Sequence, residues 1–199
     1  MIPIIDTGHG KMINGNYQTP GKRSPNWHQG VLYEGMFNNW VGNRIIEELD
    51  RKSIPYYYIS PEYTDVTLQT RAKRANRIYE ENPNTYVLSI HANGGGGKGI
   101  EGFTHVGLSP SDYIATKFLN NFQAYGINKL RTDFSDGDPD KEKNFFILEK
   151  TKCPSFLLEC GFMDHPEDYE NLWDRNYLCL VVDCIVEVIE DLYKEQNIA

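Results

Sequence analysis

Three short apolar runs in this chain each stop at an ionisable residue with a turn close behind. Residues 2–5 lead into Asp6-Thr7-Gly8-His9-Gly10, residues 86–90 into His91-Ala92-Asn93 and a string of glycines, and residues 155–158 into Glu159-Cys160-Gly161. Uninterrupted runs of this length predict buried strands. Residues 56–59, 102–106 and 145–148 are weaker strand candidates. Helical spacing links Leu32, Met36, Trp40, Val41, Ile45 and Leu49, and also Ile114, Phe118 and Phe122. Leu178, Val181, Ile185, Val188 and Leu192 form the clearest stripe and predict a carboxy-terminal helix packed on the sheet. Residues 71–79 predict a charged helix with a narrow apolar face. Strands alternating with helices imply an α/β domain with a mostly parallel sheet. A length of 199 residues suits one domain, spanning 1–199.

Functional groups of open α/β sheets gather at the carboxyl ends of the strands. Parallel strands would bring His9, His91 and Glu159 to one edge despite their distance in sequence. The helix after the first strand must start near that strand's end, and its first turn carries Glu34. Two histidines and a carboxylate form a set suited to one zinc ion with a position left for water. The metal would lower the pKa of that water towards ~7 and polarise a carbonyl. Glu159 would then be free to take the proton.

Singly, each residue has an ordinary explanation. A histidine after a strand is usually structural, a first-turn glutamate suits the helix dipole, and a glutamate at a strand end is usually an ion-pair partner. The case for a metal rests on the four together. His28, His105 (within an expected strand) and His165 (before Pro166 in a turn) read as polar surface. Glu101 reads as a structural residue at a strand edge. The acidic residues 133–140 lack the order of a calcium loop and read as solvated. Glycines 94–97 lack the Gly-Lys-Ser/Thr of a phosphate loop, and Cys160 reads as a small buried hydrophobe.

The formal charge of −8 argues against a nucleic-acid surface. No apolar run approaches the ~20 residues of a membrane span. The amino terminus shows no secretory pattern, so cytoplasmic synthesis without a signal peptide is expected. The four cysteines, Cys153, Cys160, Cys179 and Cys184, have no Cys-x-x-Cys spacing. Neither a disulfide scaffold nor a cysteine zinc knuckle is expected.

The ordered set Asp6-Thr7-Gly8-His9-Gly10, Glu34, Leu68-x-x-Arg71 with Ala75-Asn76, Ser89-Ile90-His91-Ala92-Asn93, Gly99-Ile100-Glu101 and Leu157-Leu158-Glu159-Cys160-Gly161-Phe162 resembles the zinc-dependent N-acetylmuramoyl-L-alanine amidases of the amidase-3 type. The resemblance covers nearly the whole chain. It implies a single α/β domain with a mixed, roughly six-stranded sheet flanked by helices. It also implies zinc ligands at His9, Glu34 and His91, a catalytic Glu159, and hydrolysis of the amide joining N-acetylmuramic acid to L-alanine in peptidoglycan.

One departure follows the first motif, where Lys11 and a long segment over residues 19–25 resemble the form found in phage lysins. Lys22, Arg23 and Trp27 from that region, together with Asn93, are expected substrate contacts. Residues 133–143 leave no room for a self-inhibitory helical insert. No separate wall-binding module is expected, and monomer is the default. The combination suggests an endolysin that reaches the cell wall after the membrane is breached. The competing readings are a zinc peptidase cutting within the stem peptide and a wall-binding module without turnover.

Overall fold

The structure, a computed structural model, describes residues 1–107, 109–127 and 129–196. The elements in chain order are β1 (Ile2–Asp6), β2 (Met12–Ile13), β3 (Asn16–Tyr17), α1 (Glu34–Arg51), β4 (Tyr57–Tyr58), α2 (Leu68–Glu81), β5 (Thr85–Asn93), β6 (Glu101–Thr104), α3 (Pro110–Tyr125), β7 (Lys141–Glu142), α4 (Phe146–Lys150), β8 (Ser155–Phe162), α5 (Pro166–Trp173) and α6 (Arg175–Gln196). Six strands form one sheet in the order β4-β1-β5-β8-β6-β7, and β2 and β3 form a separate hairpin. Within the large sheet every neighbouring pair is parallel except β6 with β8. The expected mixed, mostly parallel α/β sheet is therefore present.

Successive side chains of a strand point to opposite faces, and here the alternation divides the core in two. Ile5, Leu88, Ile90, Phe156 and Leu158 join a large cluster with residues of α1, α3 and α6. Ile4, Val87 and Leu157, one residue out of step, join a smaller cluster. Its buried members from the helices are small in number, Ala72 and Ala75 from α2 and Ile147 and Leu148 from the single turn of α4, with Ile78, Tyr79 and Phe146 packed half-buried against them. Continued towards the carboxyl ends, the same parity sets Asp6, Ser89, His91 and Glu159 on the thinly covered face. The alternation that builds the core thus also gathers these polar groups on one face, with Asp6, Ser89 and His91 buried there.

Four local features differ from expectation. Residues 145–148 form a helical turn instead of a strand. The Phe145 carbonyl accepts from the amides of Leu148 and Glu149, both at 2.9 Å. A four-residue apolar run has no period that separates strand from helix. β6 ends at Thr104, so His105 lies beyond the strand. Leu32 is buried but precedes α1. The segment after His9 contains a hairpin turned by Asn14 and Gly15, at φ 49° and 79°. Those left-handed values suit an Asn-Gly turn. Among the described residues, no helix is long and apolar enough to cross a membrane.

Candidate active site

The chain leaves β1 through Gly8, where an added Cβ would lie 2.2 Å from the His91 ring. Only glycine permits this approach. His9 follows at φ 66°, a left-handed conformation uncommon for a side chain of its size. α1 starts at Glu34 and is tied to the same loop, since Asn38 Nδ2 donates to the Gly8 carbonyl at 3.2 Å. These constraints bring three ligand-type atoms together. Glu34 Oε1 lies 3.1 Å from His9 Nε2 and 2.9 Å from His91 Nδ1. The two imidazoles meet edge to face at 5.1 Å.

This donor set fits zinc. A tetrahedron with bonds of about 2.0–2.1 Å has edges of about 3.3 Å, close to the observed separations. His9 Nε2 is buried and lacks an aligned hydrogen-bond partner, which leaves its lone pair available. Burial opposes charge on Glu34, but the two imidazoles outweigh it and hold the carboxyl well below the usual carboxylate range.

The His91 tautomer has an internal support. Ser89 Oγ donates to Asp6 Oδ2 at 2.8 Å and lies 3.1 Å from His91 Nε2. With its proton committed to Asp6, Ser89 is placed to accept from Nε2–H, the tautomer in which Nδ1 would serve as a metal ligand beside Glu34. Asp6 is fully buried and also takes Arg71 Nη1 at 2.7 Å and Ser60 Oγ at 3.0 Å. Burial raises its pKa, but Arg71 and the other partners reverse this and leave it lowered. The bonds among Asp6, Arg71, Ser89 and Ser60 span up to 83 residues and have no local sequence signal.

Glu159 pairs with His91 across β5 and β8, and with Glu101 across β8 and β6. The three therefore stand in one row. Glu159 Oε2 is buried without a hydrogen-bond partner. Burial and then the Glu34 carboxylate push this carboxyl well above its ordinary pKa, against an opposing pull from Lys22 and with a smaller push from Glu101. It is suited to holding and releasing a proton. Two cavities meet at Glu159. One, of about 490 Å³, holds His9, His91, Lys22 and apolar Val66, Leu68 and Ile147. The other, of about 480 Å³, is lined by Asn93, Glu101, Arg131, Lys141, Lys143 and Phe162, among others.

The remaining candidates separate clearly. Lys22 Nζ is 3.9 Å from Glu34 Oε2. Asn93 Nδ2 donates to Glu101 Oε2 at 2.6 Å. Arg23 is exposed and lines neither cavity; its backbone bridges to Tyr33. Trp27 packs on Tyr169 at 4.7 Å. His28 is an exposed partner of Glu170, as expected of polar surface. His165 is half-buried at the start of α5. Lys11 is buried and donates to the Pro61 carbonyl at 2.9 Å. Cys160 is fully buried. Residues 133–137 are exposed, but Asp140 is buried, which corrects the reading of 133–140 as wholly solvated. Glu101 is more than an edge residue, since it lines the cavity beside Glu159.

A family model described as N-acetylmuramoyl-L-alanine amidase, Amidase_3, matches residues 4–191. The chain belongs to this amidase family. The amidase CwlM of Bacillus licheniformis is 32% identical over 130 residues, 65% of this chain and 47% of that protein. The matched stretch thus spans about half the length of that relative. An amidase from Clostridium difficile 630 has the same fold, with TM-score 0.76 and 23% identity over 96% of this chain and 95% of its own. An amidase from Mycobacterium smegmatis agrees at TM-score 0.77 and 22% identity, over 98% and 97%.

Proposed function

We propose that the chain hydrolyses the amide between N-acetylmuramic acid and L-alanine in peptidoglycan, using one zinc ion held by His9, Glu34 and His91. The observation that carries this reading is the buried convergence of those three residues with an unpartnered Glu159 one strand away, in a chain of the amidase family. Zinc bound there supplies a Lewis acid that activates water and polarises a carbonyl.

Glu159 is the proposed proton carrier. It takes a proton from the attacking water as the oxygen bonds to the lactyl carbonyl carbon. It returns the proton to the alanine nitrogen as the C–N bond breaks. Water thereby contributes OH to the acyl product and H to the amine. Ser89 and Asp6 keep His91 in its ligating tautomer. Lys22 and Asn93, one in each cavity, are the proposed substrate contacts. Arg23, which lines neither, is not carried into the proposal. Cell-wall lysis is the proposed use.

Digestion of purified cell wall, followed by labelling of new amino groups and new reducing ends, tests the bond. Alanine amino groups should appear without reducing ends. New reducing ends would indicate a glycosidase, and new amino groups on other residues would indicate the peptidase reading.

A further inference from the structure

The cavity on the β6 side of Glu159 is richer in cations than its neighbour, whose lining has Lys22 and the Asp6-paired Arg71 among apolar residues. In a chain of net charge −8 it gathers three cations, Arg131, Lys141 and Lys143, around Glu101 and the edge of Glu159. Glu101 is buried at 4% exposure. Its Oε1 accepts from Arg131 Nε and from Lys141 Nζ, both at 2.6 Å, and its Oε2 from Asn93. One buried carboxylate therefore holds two cations in fixed positions. The Arg131 guanidinium also lies 5.4 Å from the Phe162 ring centre, which sets its plane. Glu101 engages Nε, and the same guanidinium carries two further nitrogens in the planar fork that matches a carboxylate. Lys143 is exposed on the same lining and has no ion pair among the described residues.

We propose that this cavity is a cationic subsite for a free carboxylate of the stem peptide, on the leaving-amine side of the scissile amide. The inference rests on the proposed amidase function. In the substrate the lactyl carboxyl is consumed in the amide, so the free carboxylates near the bond belong to the peptide. Adjacent strands are about 4.8 Å apart, so the Glu101 row holds its cations roughly one peptide residue from Glu159. The other cavity, with its apolar Val66, Leu68 and Ile147, is left for the muramyl side. The cations then fix which way the substrate lies and favour peptides with a charged residue after alanine.

The test uses two soluble muramyl peptides that differ only in a free carboxylate or a carboxamide on the residue after L-alanine. Wild-type kcat/KM should favour the carboxylate by about tenfold, the worth of one charge-assisted hydrogen bond. Arg131→Gln should raise KM for the carboxylate peptide, leave kcat near wild type and remove the preference. Lys143→Gln, which does not touch Glu101, should reduce the preference with zinc content and melting temperature unchanged. It decides the matter if Arg131→Gln does not fold. The subsite is overturned if wild type cleaves both peptides equally, or if the folded variants keep the full preference. Release of no alanine amino group from either peptide would instead overturn the amidase reading itself, and the subsite with it.

Discussion

Among the described residues, two groups of side chains bring three metal-capable atoms within 4.8 Å of one another: His9, Glu34 and His91 at the end of the sheet, and Asp112, Asp138 and Asp140 beside the start of α3. Their surroundings differ. In the first, one carboxylate faces two imidazoles, and a buried Asp6 behind them is balanced by Arg71. In the second, three carboxyls face one another, and no Lys or Arg pairs with them among the described residues. Asp112 is occupied by the capping box of α3, and Asp140 Oδ2 accepts from Thr104. Burial, with Asp138 beside it, pushes Asp140 up to about 8. Closeness of acidic groups thus has two outcomes. Opposed to bases, a buried carboxyl stays charged; opposed to its own kind, it keeps its proton.

The largest effect should come from breaking the first group. His91→Ala should lose bound zinc and reduce wall hydrolysis to background, measured by elemental analysis and amine release. Retained zinc at wild-type stoichiometry would place the metal elsewhere.

Arg71→Met should make Asp6 resemble Asp140 by leaving a buried carboxylate without its cation. The expected loss is about 3–5 kcal/mol in denaturant unfolding at pH 7. In wild type the lowered Asp6 pKa contributes stability above its unfolded value of 3.8 that is lost as pH falls through the folded value. The variant should therefore lose less stability than wild type on acidification. Unchanged stability at neutral pH would refute the pairing argument.

Ser89→Ala should act more gently: it removes the acceptor that holds Nε2–H of His91 and one donor to Asp6, while Arg71 and Ser60 still bond Asp6. Zinc affinity should fall by roughly 10–100-fold, with the fold kept. Affinity equal to wild type in a chelator competition would remove Ser89 from the tautomer argument.

The smallest effect belongs to the acidic corner. A raised Asp140 pKa gives stability that is fully present below the unfolded value of 3.8 and is lost as pH rises through about 8. Asp140→Asn should therefore match wild type near pH 4 and be the more stable of the two at pH 9 in denaturant unfolding. An equal difference at both pH values would contradict the protonated Asp140.

The contrast also explains what the sequence made legible. β1, β5 and β8 are central strands, so they appear as largely apolar runs, interrupted in β5 by Ser89, and an ionisable residue close behind each run marks its functional end. His9, His91 and Glu159 were readable for that reason, and Glu34 because α1 has to start beside β1. Parity along the strand, and hence the face these groups share, follows from the same runs. Arg131 and Lys141 come from a loop and a two-residue strand with no period to read. Their partner Glu101 is legible in the sequence as a strand-edge residue able to enter the site, and its register with Glu159 puts it beside the cavity. The Asp6–Arg71 pair is 65 residues apart in sequence, and the burial of Asp140 depends on contacts between distant segments. Residues 145–148 failed for a different reason: adjacent apolar residues suit one helical turn as well as a short strand.

The two glutamates of the site are proposed to divide the work, with Glu34 holding metal and Glu159 moving a proton. The most direct measurement is the zinc content of purified Glu159→Gln alongside its turnover on cell wall. Zinc should remain near one per chain while turnover falls by on the order of 10²–10⁴-fold. Loss of zinc in this variant, or near-normal turnover with zinc retained, would contradict the claim.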